Sequence, residues 1–238
     1  MHLRVTGSTN ERARELAIAG APHGTLVTAA EQTAGRGRQG RRWSAPAGEA
    51  ILMSLVLRPP PRLLPLAAAL AVCDVVGADA SIKWPNDVVV PQERGLAKLA
   101  GILAEGRPGE GWAVLGIGVN VAVDLALLPA ELRSGTGEDR APEAASGMPA
   151  ATLGLTPGDV EPVLAQLLAA LGGRLGEPEA DTLAAWRERD ALLGREIAWG
   201  QGRGRAAGLD GEGRLVVELD GGGRTALAAG EVHLESVL

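Results

Sequence analysis

The chain has no phenylalanine and no tyrosine, one cysteine, three histidines and two lysines in 238 residues. Each shortage closes a possibility. Cys73 alone cannot form an internal disulfide, and His2, His23 and His233 are too scattered for a metal-ligand spacing, so neither a disulfide scaffold nor a protein-held metal is expected. The apolar stretch from Leu63 to Ala71 is interrupted by Pro65, and no run approaches the ~18 residues of a membrane span. No basic segment followed by an apolar one opens the chain, so a cytoplasmic protein is expected, with no membrane partner. The formal net charge of −6 argues against a general nucleic-acid coat, whose affinity comes from neutralising phosphates.

What is present is an ordinary globular composition, 46% hydrophobic and 22% charged. At ~150 residues per domain the length suggests one large domain, or one large and one small. Against 21 arginines, Lys83 and Lys98 stand out. In a chain this biased a surface lysine drifts to arginine at little cost, so a lysine that remains is a candidate for work that a planar guanidinium cannot do. The asparagines are equally rare: Asn10, Asn86 and Asn120.

Ser8-Thr-Asn-Glu11 reads as a capping box opening a helix from about Asn10 to Ala19. Thr25 to Ala30 is a strand, and the glycine-rich stretch from Gln32 to Trp43 is a loop. Ala50 to Leu57 is a buried strand, followed by a helix from about Pro65 to Val76. Ile82 to Val90 divides into two short strands around Pro85-Asn86-Asp87, with further strands at Leu96 to Glu105 and Trp112 to Val123. Arg133 to Ala151 has no periodic pattern and reads as a mobile surface loop. Thr156-Pro-Gly-Asp159 starts a helix carrying Val163, Leu167 and Leu171 on one face, and a second helix runs from about Glu179 to Leu193. From Gly194 short alternating segments follow, with Asp210-Gly211 and Asp220-Gly221 as hairpin turns. The expectation is a larger domain over residues 1–193 and a small antiparallel β-barrel over 194–238, docked on the first because it is too small to be very stable alone.

Four arginines, Arg36, Arg38, Arg41 and Arg42, interleave with Gly35, Gly37 and Gly40 in a loop able to wrap amides and guanidiniums around an anion such as a phosphorylated ligand. The plainer reading is a solvated basic loop. Lys98 opens an otherwise apolar strand in which Ala100 and Gly101 leave room for something to approach the backbone, and its ammonium could hold a carboxylate and a phosphate oxygen together. A lysine snorkelling from a strand end is the alternative. Gly116-x-Gly-x-Asn120 lacks the third glycine of a dinucleotide fingerprint, Ser8 and Thr9 are equally explained as helix caps, and Cys73 reads as core. No nucleophile arrangement is visible, so any chemistry must rest on orientation and charge stabilisation of bound substrates.

Taken in order, Ser8-Thr-Asn10, Gln32 with Gly35-Arg-Gly-Arg-x-Gly-Arg-x-Trp43, Lys83-Trp-Pro-Asn-Asp87, Lys98-Leu-Ala-Gly-Ile-Leu103 and Gly116-x-Gly-x-Asn120 resemble the biotin protein ligases. The resemblance implies an α+β fold, a mixed and mostly antiparallel sheet with helices of the class II synthetase type, plus an SH3-like C-terminal barrel. It implies an enzyme that forms biotinyl-5′-AMP from biotin and ATP with Mg²⁺, then acylates one lysine of a biotin carboxyl carrier domain. By similarity, Ser8, Thr9, Asn10 and Gln32 meet the ureido end of biotin, and Gly35, Arg36, Gly37 and Arg38 lie in a loop that orders over biotin and phosphate. The biotin ring stacks near Trp84 or against the Gly101 and Gly116 backbones, with Gly118 also at the biotin site, and Lys98 holds the carboxylate and phosphate oxygens. Lys83, with Arg36 and Arg38, assists at the phosphates; Asn120 and Trp43 serve the adenine; Asp87 helps with the acceptor lysine or the metal. With the Ser-Thr-Asn motif at residue 8, a short form without an N-terminal DNA-binding domain is expected, and a homodimer is possible. A lipoate or octanoate transferase and an RNA-binding protein with an SH3-like tail are the rival readings.

Overall fold

In the computed structural model, residues 1–93, 95–106, 109–128, 148–228, 230 and 232–234 are described. Two sheets carry the fold. The larger has seven strands in the order β1-β2-β3-β7-β6-β5-β4: β1 (His2–Thr6), β2 (Leu26–Gln32), β3 (Ala50–Leu57), β4 (Ser81–Lys83), β5 (Asp87–Gln92), β6 (Gly95–Gly106) and β7 (Ala113–Asn120). All neighbouring pairs are antiparallel except β1 with β2. The mixed α+β expectation is met, although β1 was not foreseen: five residues with an exposed face carry little pattern, and their strand state depends on pairing with Thr28 to Gln32.

Helix α1 (Thr9–Ile18) covers one face of this sheet, where Ala13 and Ala17 pack with Val27, Val56, Trp112 and Val114. Ser8 caps it, accepting from Glu11 N–H. The other face is buried under α2 (Leu64–Val76), α3 (Val160–Arg174) and α4 (Glu179–Glu188). Helix α2 is apolar all round because it is enclosed by the sheet and by both other helices. Cys73 lies within it, and burial pushes its thiol pKa up to about 12, as suits an inert core residue. A reciprocal Thr156–Asp159 capping box precedes α3.

Helix α4 ends at Glu188, short of the expected Leu193, for a tertiary reason. Arg189 O accepts from Ile82 N–H (2.6 Å), Ala191 N–H donates to Ile82 O (3.0 Å), and the Arg189 guanidinium donates to the carbonyls of Gly77, Ala78 and Ala80 beyond the end of α2. Residues 189–191 therefore line the β4 edge. Of the expected surface loop, residues 133–147 lie outside the described residues, but its end is not a surface loop. Lys98 N–H donates to Pro149 O (2.7 Å), Ala151 N–H donates to Lys98 O (2.8 Å), and Ala151 is buried.

The second sheet comprises β8 (Glu196–Trp199), β9 (Gly202–Leu209), β10 (Leu215–Leu219), β11 (Arg224–Leu227) and β12 (His233–Leu234), in the order β11-β10-β9-β8-β12. Both expected hairpin turns are present, but β11 and β12 stand at opposite edges, so among the described residues the sheet is open and not closed into a barrel. It packs on the first sheet's helices. Ile197, Ala206, Leu209, Leu215 and Val217 share one core with α2, and Trp84 Nε1–H donates to Gly213 O (3.1 Å). Among the described residues no helix is long and apolar enough to cross a membrane.

Candidate functional site

Side chains alternate along a strand, and that alternation builds the site. On β7, Val114, Gly116, Gly118 and Asn120 share the face that meets α1; Ser54 and Leu52 on β3 and Leu103 and Gly101 on β6 lie beside them. The register puts Gly118 opposite both Leu52 and Gly101, so two glycines adjoin across strands and leave a shallow floor. The Trp43 indole lies on that floor. A Cβ on Gly118 would stand 2.5 Å from Trp43 Cε2, and one on Gly101 would stand 3.1 Å from Cζ3. At Gly116 a Cβ would overlap the Asn10 carboxamide, coming within 2.9 Å of its Cγ. The glycines of Gly116-x-Gly-x-Asn120 thus act as clearance on a strand, which no phosphate-binding loop requires.

Above this floor is a cavity of about 170 Å³, and every residue singled out above as a binding or catalytic candidate borders it except Gly35 and Trp84, the latter buried in the core. Gly35 serves the loop itself. Its carbonyl accepts from Trp43 N–H (3.0 Å), and a Cβ there would overlap the Trp43 carbonyl.

One end of the cavity is a buried polar network. Thr9 N–H and Thr9 Oγ1 lie 2.7 and 3.0 Å from Gln32 Oε1. Ser54 Oγ lies 2.9 Å from Thr9 Oγ1 and 2.6 Å from Asn10 Oδ1, and Asn10 Nδ2 donates to Glu105 Oε2 (2.9 Å). The side chains of Ser8, Thr9, Asn10 and Ser54 are all buried, although Ser8 is engaged as the helix cap.

The other end is cationic. Lys98 Nζ stands 2.6 Å from Asp87 Oδ1 and 5.7 Å from the centre of the Trp43 ring, within reach of a cation–π contact. Lys83 and Asp87 are buried on the β4–β5 hairpin, whose Asn86 accepts from Arg38 Nη1 (3.2 Å) and donates to Ile102 O (2.9 Å). Arg36 pairs with Glu105 at 3.5 Å, and Gly37 N–H bonds Arg41 O (2.7 Å) to close the loop. Asn120 donates to Ala151 O (2.8 Å), which ties the segment after residue 147 to the cavity rim. Trp43 Nε1 is buried without a hydrogen-bond partner, an N–H aimed at nothing in a site otherwise rich in acceptors.

Three participants escaped the sequence reading. Asn86 was quoted within its motif but given no role, and its rarity was the available signal. Ser54 is the one polar residue inside the apolar run from Ala50 to Leu57, and Glu105 ends an apolar strand; neither type is rare in this chain.

The family model described as Biotin/lipoate A/B protein ligase matches residues 2–122. A biotin--[acetyl-CoA-carboxylase] ligase from Mycobacterium tuberculosis is 37% identical over 96% of this chain and 86% of its own length. A bifunctional ligase/repressor from Bacillus spizizenii is 41% identical over 54% of this chain, and the match spans only 42% of that longer protein. Among solved structures, a biotin protein ligase from Aquifex aeolicus in complex with biotin and ATP superposes with a TM-score of 0.72 at 27% identity, covering 99% of this chain and 97% of that one.

Proposed function

Because the chain belongs to the biotin/lipoate A/B protein ligase family, we propose that it joins biotin to ATP as biotinyl-5′-AMP and then transfers the biotinyl group to a lysine of a biotin carboxyl carrier domain. The observation that carries this reading is the polarity of the cavity, whose two ends differ. A buried set of amides and hydroxyls at one end suits a small neutral polar head, and lysines and arginines at the other suit a carboxylate and phosphates, with an aromatic ring between. The likeness to a ligase solved with biotin and ATP supports the same assignment.

In this reading Thr9, Asn10 and Gln32 present the edge that holds the ureido ring, with Ser8 fixing the start of α1. Gly116 admits Asn10, while Gly101 and Gly118 make room for Trp43, which offers its face to the adenine. Lys98 places its ammonium between the biotin carboxylate and the α-phosphate. A carboxylate oxygen attacks phosphorus, the bond to the pyrophosphate oxygen breaks, and Lys98 stabilises the charge spread over both groups. Asp87 holds Lys98 until then and afterwards faces the incoming acceptor amine, whose proton must leave as the amide forms and AMP departs. Lys83 and Arg38 contact the phosphates, Asn120 reaches the base, and Arg36 and Gly37 belong to the loop that shields the reactive anhydride from water.

Among the described residues no three His, Cys, Asp or Glu side chains converge as a metal site. In this reading Mg²⁺ is the ion that accompanies ATP, held by the phosphates with one or two carboxylates at most.

The test is calorimetric titration with biotin, then ATP and Mg²⁺ with pyrophosphate measured, then a carrier domain with biotin transfer measured. Biotin binding, pyrophosphate release and transfer are expected in turn. Absence of biotin heat together with lipoate binding would move the chain to the lipoate branch of its family.

A further inference from the structure

We propose that Trp84 and Gly213 form a positioning contact through which the second sheet fixes the β4–β5 hairpin, and with it the phosphate end of the site. This rests on the ligase reading. The hairpin turns in three residues, Trp84, Pro85 and Asn86, between Lys83 and Asp87, which face each other across the ladder. Lys83, Asn86 and Asp87 line the cavity, whereas Trp84 lies in the core at 2% exposure. The inner leg is well held: β5 pairs with β6, and Asn86 exchanges two hydrogen bonds with Ile102, accepting at its backbone oxygen (2.9 Å) and donating from Nδ2 to Ile102 O (2.9 Å). The outer leg is held less. β4 is a three-residue strand at the sheet's edge, and among the described residues its backbone bonds other than those to β5 are the two that Ile82 makes with Arg189 and Ala191. Past Ile82 the outer leg is steadied from outside the hairpin by Trp84.

An indole N–H is a donor only, and Trp84 Nε1–H gives its hydrogen to Gly213 O (3.1 Å), in the turn between β9 and β10. That turn is built to hold still. Asp210 Oδ1 accepts from the N–H groups of Glu212 (2.9 Å) and Arg214 (3.0 Å), Oδ2 accepts from Arg214 Nε (2.7 Å), and Gly213 N–H donates to Asp210 O (3.1 Å). None of these bonds uses the Gly213 carbonyl. Gly213 has a φ of +76°, which glycine adopts at no steric cost, and a Cβ there would stand 3.0 Å from both Leu63 Cδ2 and Leu66 Cδ1. Arg62 clamps the turn from outside, donating from Nη2 to Gly211 O (3.0 Å) and from Nε to Glu179 Oε1 (2.8 Å) at the start of α4. The acceptor carbonyl is thus fixed relative to α2 and α4, the helices that back the first sheet.

Placement is what the contact contributes. A misplacement of ~1 Å can cost about 10²-fold in rate, and this hairpin carries Lys83 toward the phosphates and Asp87 against Lys98 Nζ at 2.6 Å. The biotin-recognising edge is built elsewhere. Gln32 and Ser54 stand on β2 and β3, which β7 and β6 separate from the hairpin, and Thr9 and Asn10 stand on α1. Loosening the Trp84–Gly213 contact therefore acts on ATP and on the reaction and spares biotin, a split that a general loss of stability does not produce.

Pyrophosphate release with ATP varied, biotin calorimetry and thermal midpoints are compared for the wild type, Gly213→Ala, Trp84→Phe, the double variant, Arg62→Ala and Arg174→Ala, with activity measured well below the lowest midpoint. Gly213→Ala pushes the turn off Leu63 and Leu66 and Trp84→Phe removes the donor, so each should lower kcat/KM for ATP about tenfold and leave biotin affinity within about threefold. The double variant should stay within about threefold of the weaker single one, because both changes break one contact. Arg62→Ala loosens the same turn from the surface and should lower kcat/KM about threefold, which keeps the test open if Gly213→Ala does not fold. Arg174→Ala removes the partner of Asp74 at the opposite end of α2 and should lower the midpoint with kcat/KM unchanged. Unchanged kcat/KM in Trp84→Phe and Arg62→Ala, losses that multiply in the double variant, biotin affinity falling as far as kcat/KM, or an equal loss in Arg174→Ala each overturns the proposal and leaves the ligase reading standing. A wild type that releases no pyrophosphate with biotin overturns both.

Discussion

The two ends of the cavity are built differently. At the polar end, Thr9, Asn10, Ser54 and Glu105 come from three elements and are paired to one another within 3.0 Å, most of them out of contact with water. At the basic end, Arg36 is about half exposed, the loop backbone is stitched at a few points, and Trp43 carries an unpartnered buried N–H, a defect of about 1 to 3 kcal/mol. A satisfied buried network is rigid, whereas half-exposed guanidiniums contribute little to stability and can turn toward another anion. The difference suits two tasks: a preformed edge lowers the entropic cost of holding a small rigid ligand, and an adaptable loop can close over whatever forms there.

The largest expected effect lies where the ends meet. Lys98→Ala should lower biotin-dependent pyrophosphate release about 10²- to 10³-fold, since a charge-stabilising donor contributes ~3 to 4 kcal/mol to the barrier. Biotin affinity should fall far less, and the melting temperature should drop by a few degrees because Asp87 is left buried without its cation. If biotin affinity falls as far as turnover, Lys98 is a binding group and the division between the ends fails.

Next comes a pair of glycines. Gly116→Ala would drive a methyl into the Asn10 carboxamide in the rigid end, and overpacking of about 1 to 3 kcal/mol predicts a ten- to hundredfold loss of biotin affinity. In Gly37→Ala the new Cβ would stand 3.3 Å from Arg41 O on a loop able to give way, so a loss below about threefold is expected. Calorimetry on both variants checks this, and comparable losses would mean that the loop is as rigid as the edge. Trp43→Ala should have a smaller effect: an apparent KM for ATP raised about tenfold, from stacking of about 1 to 3 kcal/mol, with biotin affinity less affected. Steady-state kinetics with each substrate varied separates the two.

How far these regions could be read from sequence follows the same division. Lys83, Lys98, Asn10, Asn86 and Asn120 stood out because their types are rare in this chain, and all of them reach the cavity. The loop was legible from its glycines and arginines. Ser54 and Glu105 were not, because their importance comes from the β3–β7–β6 register, which places a serine and a glutamate on either side of the gap left by Gly116. The same non-local cause ends α4 early, makes a strand of His2–Thr6 and sets β11 and β12 at opposite edges of the C-terminal sheet. Strand and helix patterns are local; edges and partners are decided by residues distant in sequence.

A change that spares both ends should alter stability and neither affinity, and Asp190 supplies one. Burial pushes its carboxyl pKa from 3.8 up to about 6, although it accepts from Leu192 N–H at 2.8 Å. The folded state therefore holds a proton between about pH 4 and pH 6 that the unfolded chain has released, and stability falls as pH rises through that window. The full gap would correspond to at most about 3 kcal/mol, and partial exposure reduces the expected effect to on the order of 1 kcal/mol. Asp190→Asn, which keeps an oxygen for Leu192, should raise the melting temperature at pH 8 by a few degrees and make no difference near pH 4. Biotin and ATP affinities should be unchanged at both. A variant that is equally stabilised at pH 4 would show that the gain comes from something other than the buried charge, and a variant with altered biotin affinity would show that the β4 edge, which also carries Lys83, is coupled to the site.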